Sequence, residues 1–304
     1  MAQAPATPKM RRLAIRAARA VGGYGLASRV GLQASETAAL ALRRARSGRP
    51  VPRAERVVFL IPLVGPAQVG DWDAVTDRLN ATLRGLLAQS DARWQAVICC
   101  QQRPPLPDDD RITHLSFDDP TPGNDKWRKL GALCDALAAQ DGGPAYVMSF
   151  DADDLPHRDL VARMFSQGAP GGYLVERGYV MDHATGEVAL AAAPDTREPL
   201  RKPFWKLCGS CAALHHDPAL PESAAFLRAM TMHEHRMFPY LAGLAGLRLQ
   251  SFADPMVLYV LNHGENFGAR RGRVGFKTRF VRRFSIGQRK DLSELPRDFP
   301  LDDV

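Results

Sequence analysis

Three aspartates stand within four residues at the end of an apolar run, in the segment AYVMSFDADDLPH (145–157). Asp151, Asp153 and Asp154 would repel one another unless a cation neutralised them. Ions such as Mn²⁺ and Mg²⁺ prefer oxygen ligands, and Mg²⁺ typically combines one or two protein carboxylates with substrate phosphates. Because Asp151 and Asp153 project to the same side of an extended chain, the pattern predicts a metal site that holds a diphosphate. The alternative is a solvated acidic turn in which Asp154 caps the next helix.

A second candidate for phosphate binding is the segment NDKWRK (124–129). Asp125 and Lys126 open a predicted helix, and Lys129 follows within its first turn. Cations beside a helix N-terminus favour the binding of anionic phosphate. Lys126 is therefore the first candidate for a phosphate contact and Lys129 the second. A solvated, positively charged helix face is the alternative.

The elements that must position these residues follow an α/β alternation. Continuous apolar runs such as RVVFLIPLV are typical of strands buried on both faces in a parallel sheet. Strands are predicted over 56–64, 94–102, 112–117 and 145–150, a helix over 71–90 with Asp71 as N-cap, a turn, helix and stop over 120–143, and shorter strands near 172–181, 210–215 and 256–262. Right-handed crossovers would give one parallel, twisted sheet. Ligands of such sheets bind beyond the carboxyl ends of the strands, where the three aspartates lie.

Charge divides the chain of 304 residues, whose net charge is +7, into distinct parts. Residues 1–56 carry +10, residues 57–267 carry −8, residues 268–290 carry +9 and residues 291–304 carry −4. We expect a basic helical extension and linker over 1–52, an α/β domain over 53–290 and an acidic tail over 291–304. An acidic body between basic segments favours contact with an anionic surface. Solvated charge around an internal phosphate site is the alternative.

The basic N-terminal segment predicts two helical pieces separated by the glycines at 22, 23 and 25. Leu13, Ile15 and Val21 among arginines indicate an interfacial helix; a helical arm that packs on its own domain or on a partner is equally compatible. The five cysteines, two of them in a predicted strand, argue against a disulfide framework. We expect a cytoplasmic protein that could bind the inner face of a membrane peripherally.

Three segments together, FLIPLVG, NDKWRKLGALCDAL and YVMSFDADDLPH, resemble the nucleotide-binding half of GT-A fold glycosyltransferases. The similarity is greatest to family-2-like inverting enzymes, including rhamnosyltransferases, and covers about residues 56–165. It implies a Rossmann-like mixed sheet flanked by helices. It also implies hexosyl or rhamnosyl transfer from a nucleoside-diphosphate sugar to a hydroxyl of a glycan or lipid-linked acceptor, in polysaccharide or glycoconjugate synthesis, with Mn²⁺ or Mg²⁺ as cofactor.

The resemblance assigns roles to individual residues of the first half. Asp151 would face the ribose or the ion, Asp153 would bind the metal directly, and Asp154 would be an accessory ligand. Pro62, in the IPLVG segment, would lie against the nucleobase. The helix that Asp125 and Lys126 open would contact the nucleobase or the diphosphate.

The second half of the chain offers a base and a further ligand by the same resemblance. Such enzymes carry an acidic base near a later helix start, and the counterpart is TMHEHRMF (231–238), with Glu234 as base and His233 as its rival. A polar helix face is the alternative. His263 would be an additional metal ligand, or else a histidine that caps a turn beside Gly264. Arginines at 270, 271 and 273 would form a basic lid over the diphosphate or a membrane patch.

Other functions use parts of the same pattern. Phosphatases of the haloacid-dehalogenase type carry Asp-x-Asp after a strand, but after the first strand and not the fourth. The Cys208-x-x-Cys211 pair with a nearby histidine would suit zinc or redox chemistry, although a second pair at suitable spacing is missing. A non-catalytic module could bind a membrane or nucleic acid through its basic segments. Because no zinc finger, aromatic RNA-binding signature or basic helix-turn-helix occurs, we expect no nucleic-acid partner.

Overall fold

The computed structural model describes residues 3–264 and 274–301 of an α/β protein with two mixed sheets flanked by helices. The strands, in chain order, are β1 (Arg56–Pro62), β2 (Trp94–Cys100), β3 (Ile112–Ser116), β4 (Ala145–Ser149), β5 (Asp154–Pro156), β6 (Gly172–Leu174), β7 (Gly178–Asp182), β8 (Glu187–Ala191), β9 (Ala212–His216), β10 (Gln250–Ser251), β11 (Val257–Leu261) and β12 (Ser285–Gln288). The helices are α1 (Lys9–Ser28), α2 (Ala34–Arg46), α3 (Trp72–Leu87), α4 (Lys126–Ala139), α5 (Leu160–Gln167), α6 (Pro221–Thr231), α7 (Phe238–Ala245), α8 (Val274–Arg283) and α9 (Leu295–Asp298).

The larger sheet has the strand order β10-β6-β9-β4-β1-β2-β3 within the described residues. Its strands β4, β1, β2 and β3 are parallel neighbours, as the α/β alternation predicts. The five central residues of β1 are buried, which accounts for its unbroken apolar sequence. The sheet is not wholly parallel, because β9 runs antiparallel to both β4 and β6.

A smaller sheet has the order β12-β8-β7-β11-β5 in the same part of the chain. Its edge strand β5 begins at Asp154 and pairs antiparallel with β11, opposite Tyr259. The chain therefore leaves the larger sheet at Ser149 and enters the smaller one at Asp154. The predicted acidic turn thus joins the two sheets, and we refer to residues 150–153 as the bridge.

Helix α3 begins as predicted, because the Asp71 carboxylate accepts a hydrogen bond from the backbone N–H of Ala74 at 2.9 Å. Helix α4 packs against β1 and β2 and brings its N-terminus to the ends of these strands. The acidic turn does not continue into a helix: β5 intervenes, and α5 starts only after Asp159.

The N-terminal segment packs on the domain. Helix α2 lies against α6 and α7, and Glu36 at its start is buried. The predicted glycine break is a kink inside α1, where Gly23 has φ 61°, and α1 and α2 are separated at 29–33. Near the other end, Leu295, Phe299 and Leu301 are buried beside the smaller sheet. Within the described residues, the helices are too short or too polar to cross a bilayer.

Candidate active site

A cleft of ≈ 1140 Å³ opens at the carboxyl ends of β1 and β4. This exceeds the volume of typical small-molecule pockets. Nearly all the predicted site residues line it: Pro62, Asp125, Lys126, Lys129, Asp151, Asp153, His233, Glu234 and His263. Asp154 does not. Residues 265–273, which include the predicted arginine lid, lie outside the described residues.

Asp151 follows β4 and carries the first carboxylate of the bridge. Its Oδ1 accepts a hydrogen bond from Lys126 Nζ at 2.6 Å, and both side chains are partly exposed to the cleft. Burial alone would lower the pKa of Lys126, but the carboxylates of Asp151, Asp153 and Asp154 together outweigh burial and raise it. A Cβ on Gly209 would lie 3.2 Å from Asp151 Oδ2, so this glycine leaves room beside the carboxylate. Lys126 is therefore a charged ammonium held at the carboxylate.

Asp153 and His263 come together although they are 110 residues apart in the sequence. His263 Nε2 lies 2.8 Å from Asp153 Oδ2. Burial raises the pKa of Asp153, but His263 and the charge of Lys126 outweigh it, so the pKa is lowered. The His263 carbonyl accepts a hydrogen bond from Arg78 at 2.8 Å, and the preceding Asn262 adopts φ 64°. The loop after β11 is thus fixed where the imidazole meets the bridge.

Asp154 corrects the predicted ligand set, because its side chain is fully buried and faces away from the cleft. Its Oδ2 accepts hydrogen bonds from Ser210 Oγ at 2.5 Å and from Cys208 Sγ at 3.0 Å. Burial, together with repulsion from Asp153 and Asp151, raises its pKa well above the ordinary value. The same Ser210 hydroxyl accepts the backbone N–H of Asp151 at 2.8 Å. Asp154 is therefore a structural support beneath the bridge, and no accessory metal ligand.

Lys129 and Asp125 also lie deeper than predicted. Lys129 is fully buried, and its ammonium donates to the Leu63 carbonyl at 2.6 Å and pairs with Asp125 at 2.8 Å. Gln101 and Gln68 donate to the same Asp125 carboxylate at 2.6 and 3.2 Å. This buried network fixes the end of β1 to the start of α4. The Lys129 ammonium is committed to it and is not available to a phosphate, which is the correction to the second predicted phosphate contact.

The TMHEHRMF segment is split between the cleft and the N-terminal helices. Glu234 is half-buried and lines the cleft just before a single 3₁₀ turn, His235–Met237. His233 is 3% exposed, and its Nε2 lies 2.6 Å from the Ser35 hydroxyl of α2. Burial lowers the pKa of His233. Its ring joins the domain to α2, so Glu234 is the better placed of the two candidate bases.

Among the cleft residues to which the sequence analysis gave no role are His235 and Lys277. His235 lines the cleft, and burial lowers its pKa to about 4, so the ring is neutral near pH 7. Its Nε2 is buried and has no hydrogen-bond partner among the described residues. Lys277 reaches the cleft from α8, and its ammonium donates to the Tyr259 hydroxyl at 2.6 Å. His235 could have been noticed from its place beside Glu234, whereas Lys277 carries no local signal.

The residues fit a divalent cation only after rearrangement. Within the described residues, no three His, Cys, Asp or Glu side chains form a ready-made metal cluster. Two carboxylates and an imidazole, Asp151, Asp153 and His263, nevertheless share one cleft and are a suitable donor set for an ion such as Mn²⁺. Lys126 now offsets the charge of Asp151, and His263 contacts Asp153. A bound cation would take over that role and release Lys126 toward an anionic ligand.

Comparison with known proteins does not identify a family. No protein-family model matches the chain, and no curated protein is significantly similar to it in sequence. The function therefore has to be argued from the site itself.

Proposed function

We propose that the protein is a GT-A fold glycosyltransferase that moves a sugar from a nucleoside-diphosphate donor to an acceptor hydroxyl. One observation carries the proposal: the Asp151–Asp153 bridge, Lys126 and His263 meet in one large cleft at the strand ends of an α/β sheet. Ligands of such folds bind at this edge of the sheet. The paired charges suit a diphosphate accompanied by a cation.

The donor would lie along the end of β1, with its nucleobase near Pro62 and its diphosphate near the bridge. Lys126 would leave Asp151 and donate to a phosphate oxygen, since its ammonium stands at the cleft surface at the start of α4. A Mn²⁺ or Mg²⁺ ion bound by Asp151, Asp153 and His263 would neutralise charge on the leaving diphosphate. The buried Asp125–Lys129 network would keep α4 and β1 in place beneath the donor.

Glu234 would act as the general base on the acceptor side. It would remove the proton of the acceptor hydroxyl while the oxygen forms a bond to the anomeric carbon and the bond to the diphosphate breaks. Attack on the face opposite the leaving group would invert the anomeric centre, in keeping with the resemblance to inverting enzymes. The neutral His235 lies beside it in the lining of the cleft.

The first test is thermal unfolding with a panel of nucleoside diphosphates, with and without Mn²⁺. Ligand at a hundredfold excess over Kd stabilises a protein by about 2.7 kcal/mol. At roughly 2 °C per kcal/mol for a domain of this size, that is a rise of about 5 °C in Tm. We expect this rise with one nucleotide only when Mn²⁺ is present. It should disappear in Asp153→Asn and persist in Asp108→Asn, an exposed control.

A transfer assay with the stabilising donor then tests the base. Loss of a general base typically reduces kcat by about 10²- to 10⁴-fold. Glu234→Gln should therefore lose kcat while the donor-induced Tm shift remains. If no nucleotide stabilises the protein, or if Asp153→Asn responds like the wild type, the assignment of the bridge as a donor site is refuted.

A further inference from the structure

The outward face of α1 is an apolar stripe. Met10, Leu13 and Val21 are 77%, 56% and 86% exposed. At about 100° per residue, they fall on one side of the helix with the exposed Ala14 and Ala17. We refer to these five residues as the outer stripe. Three large apolar side chains in register on one exposed face mark an interaction surface more strongly than isolated ones would.

The opposite face of α1 is already packed, so the outer stripe is not an unburied core face. Ile15 is fully buried. The guanidinium groups of Arg12 and Arg16 lie 5.3 and 5.2 Å from the centre of the Tyr240 ring on α7. The Tyr240 hydroxyl donates to Glu36 at 3.0 Å. These contacts fix the rotation of α1 and direct the outer stripe away from the domain.

Cations flank the outer stripe. Lys9 lies on one side of it and Arg11 on the other, and both are exposed. The first 56 residues carry a charge of +10. A helix with an apolar face bordered by Lys and Arg is the type that lies in the interface of a membrane containing anionic lipid. A nucleic-acid backbone would attract the cations but would give the outer stripe no apolar partner.

The cleft lies close to α1. Gln3 lines the cleft, and the backbone N–H of Ala4 donates to the Met232 carbonyl at 2.8 Å, next to His233. Helix α1 starts at Lys9, six positions after Gln3, which limits the distance between them to roughly 20 Å. A headgroup at the surface contacted by α1 is therefore within reach of the cleft edge.

We propose that α1 docks on an anionic membrane surface through the outer stripe. In the docked protein, the cleft would lie next to a lipid-linked acceptor. The docking itself does not depend on glycosyl transfer. The identification of the acceptor rests on the proposed function.

The test is co-sedimentation of the full-length protein with phosphatidylcholine vesicles, with and without phosphatidylglycerol, in the absence of donor and metal. We expect binding only to the vesicles that contain phosphatidylglycerol, weakening as salt screens the cations. Leu13→Glu should bind about tenfold more weakly, equivalent to about 1.4 kcal/mol. The matched control is Leu200→Glu, because Leu200 is 59% exposed and lies far from α1 in sequence. Circular dichroism checks that both variants are folded.

Several results would overturn the proposal. Equal binding by Leu13→Glu and the wild type would exclude the outer stripe as the contact. Absence of vesicle binding, together with dimerisation that Leu13→Glu abolishes, would show that a second copy covers it. Binding to duplex DNA but not to vesicles would assign the cations to nucleic acid. Because no donor is present, any of these results leaves the glycosyltransferase proposal standing.

Discussion

Removing the Ser210 hydroxyl should destabilise the protein more than its size suggests. The hydroxyl is buried, accepts the backbone N–H of Asp151 and donates to the Asp154 carboxyl at 2.5 Å. In Ser210→Ala, the Asp151 N–H loses its acceptor, and Asp154 Oδ2 keeps only the Cys208 thiol. A buried group left unsatisfied costs about 1–3 kcal/mol. With two groups affected, we expect a loss of about 2–4 kcal/mol in the free energy of unfolding.

Urea denaturation followed by tryptophan fluorescence measures this loss, and the m-value should not change. The matched control is Ser166→Ala, which removes an exposed hydroxyl bonded to the Arg163 carbonyl. Exposed substitutions of this kind typically change stability by less than about 0.5 kcal/mol. If Ser210→Ala behaved like Ser166→Ala, packing alone would hold the bridge and the hydrogen-bond argument for Asp154 would fail.

Three further predictions concern other buried ionisable residues. Asp125→Ala leaves the fully buried Lys129 ammonium without its carboxylate and should cost about 3–5 kcal/mol of unfolding free energy, measured by urea denaturation; an unchanged midpoint would contradict the pairing. His216 is buried, and burial lowers its pKa to about 4, so folding favours the neutral ring. About 3 kcal/mol of unfolding free energy is therefore present above about pH 6.5 and is lost as the pH falls to about 4. His216→Asn should reduce this loss and so flatten the acid side of a plot of unfolding free energy against pH. Glu36→Ala removes the buried acceptor of the Tyr240 hydroxyl, and limited proteolysis should then cleave α1 faster than in the wild type.

The strands that lead to the cleft were predictable because their sequences are locally unambiguous. β1 and β4 are short apolar runs, and a carboxylate in position to cap α3 marks its start. The sequence alone does not show whether Asp153 or Asp154 faces the cleft, since successive side chains of an extended chain point to opposite sides. Pairing of β5 with β11, about a hundred residues later, decides that Asp154 turns inward.

Other site residues depend on contacts that local patterns do not contain. The local sequence predicts that Lys129 is an exposed cation. Its burial is possible because the Asp125 carboxylate lies one helical turn earlier. The local sequence predicts His233 as a candidate base. Its buried position against α2 follows from its contact with Ser35, which is 198 residues away in the sequence. Such pairings join elements that are distant in sequence, so neither periodicity nor spacing reveals them.

The bridge between the two sheets has a mechanical consequence. Only residues 150–153 separate the end of β4 from the start of β5, and a fully extended residue spans at most about 3.6 Å. The sheets cannot move apart without displacing Asp151 and Asp153, so a ligand that fixes both side chains also restrains both sheets. Amide hydrogen exchange should then slow in β1 and β11 together and by similar free energies when that ligand binds. The two sheets would respond as one cooperative unit.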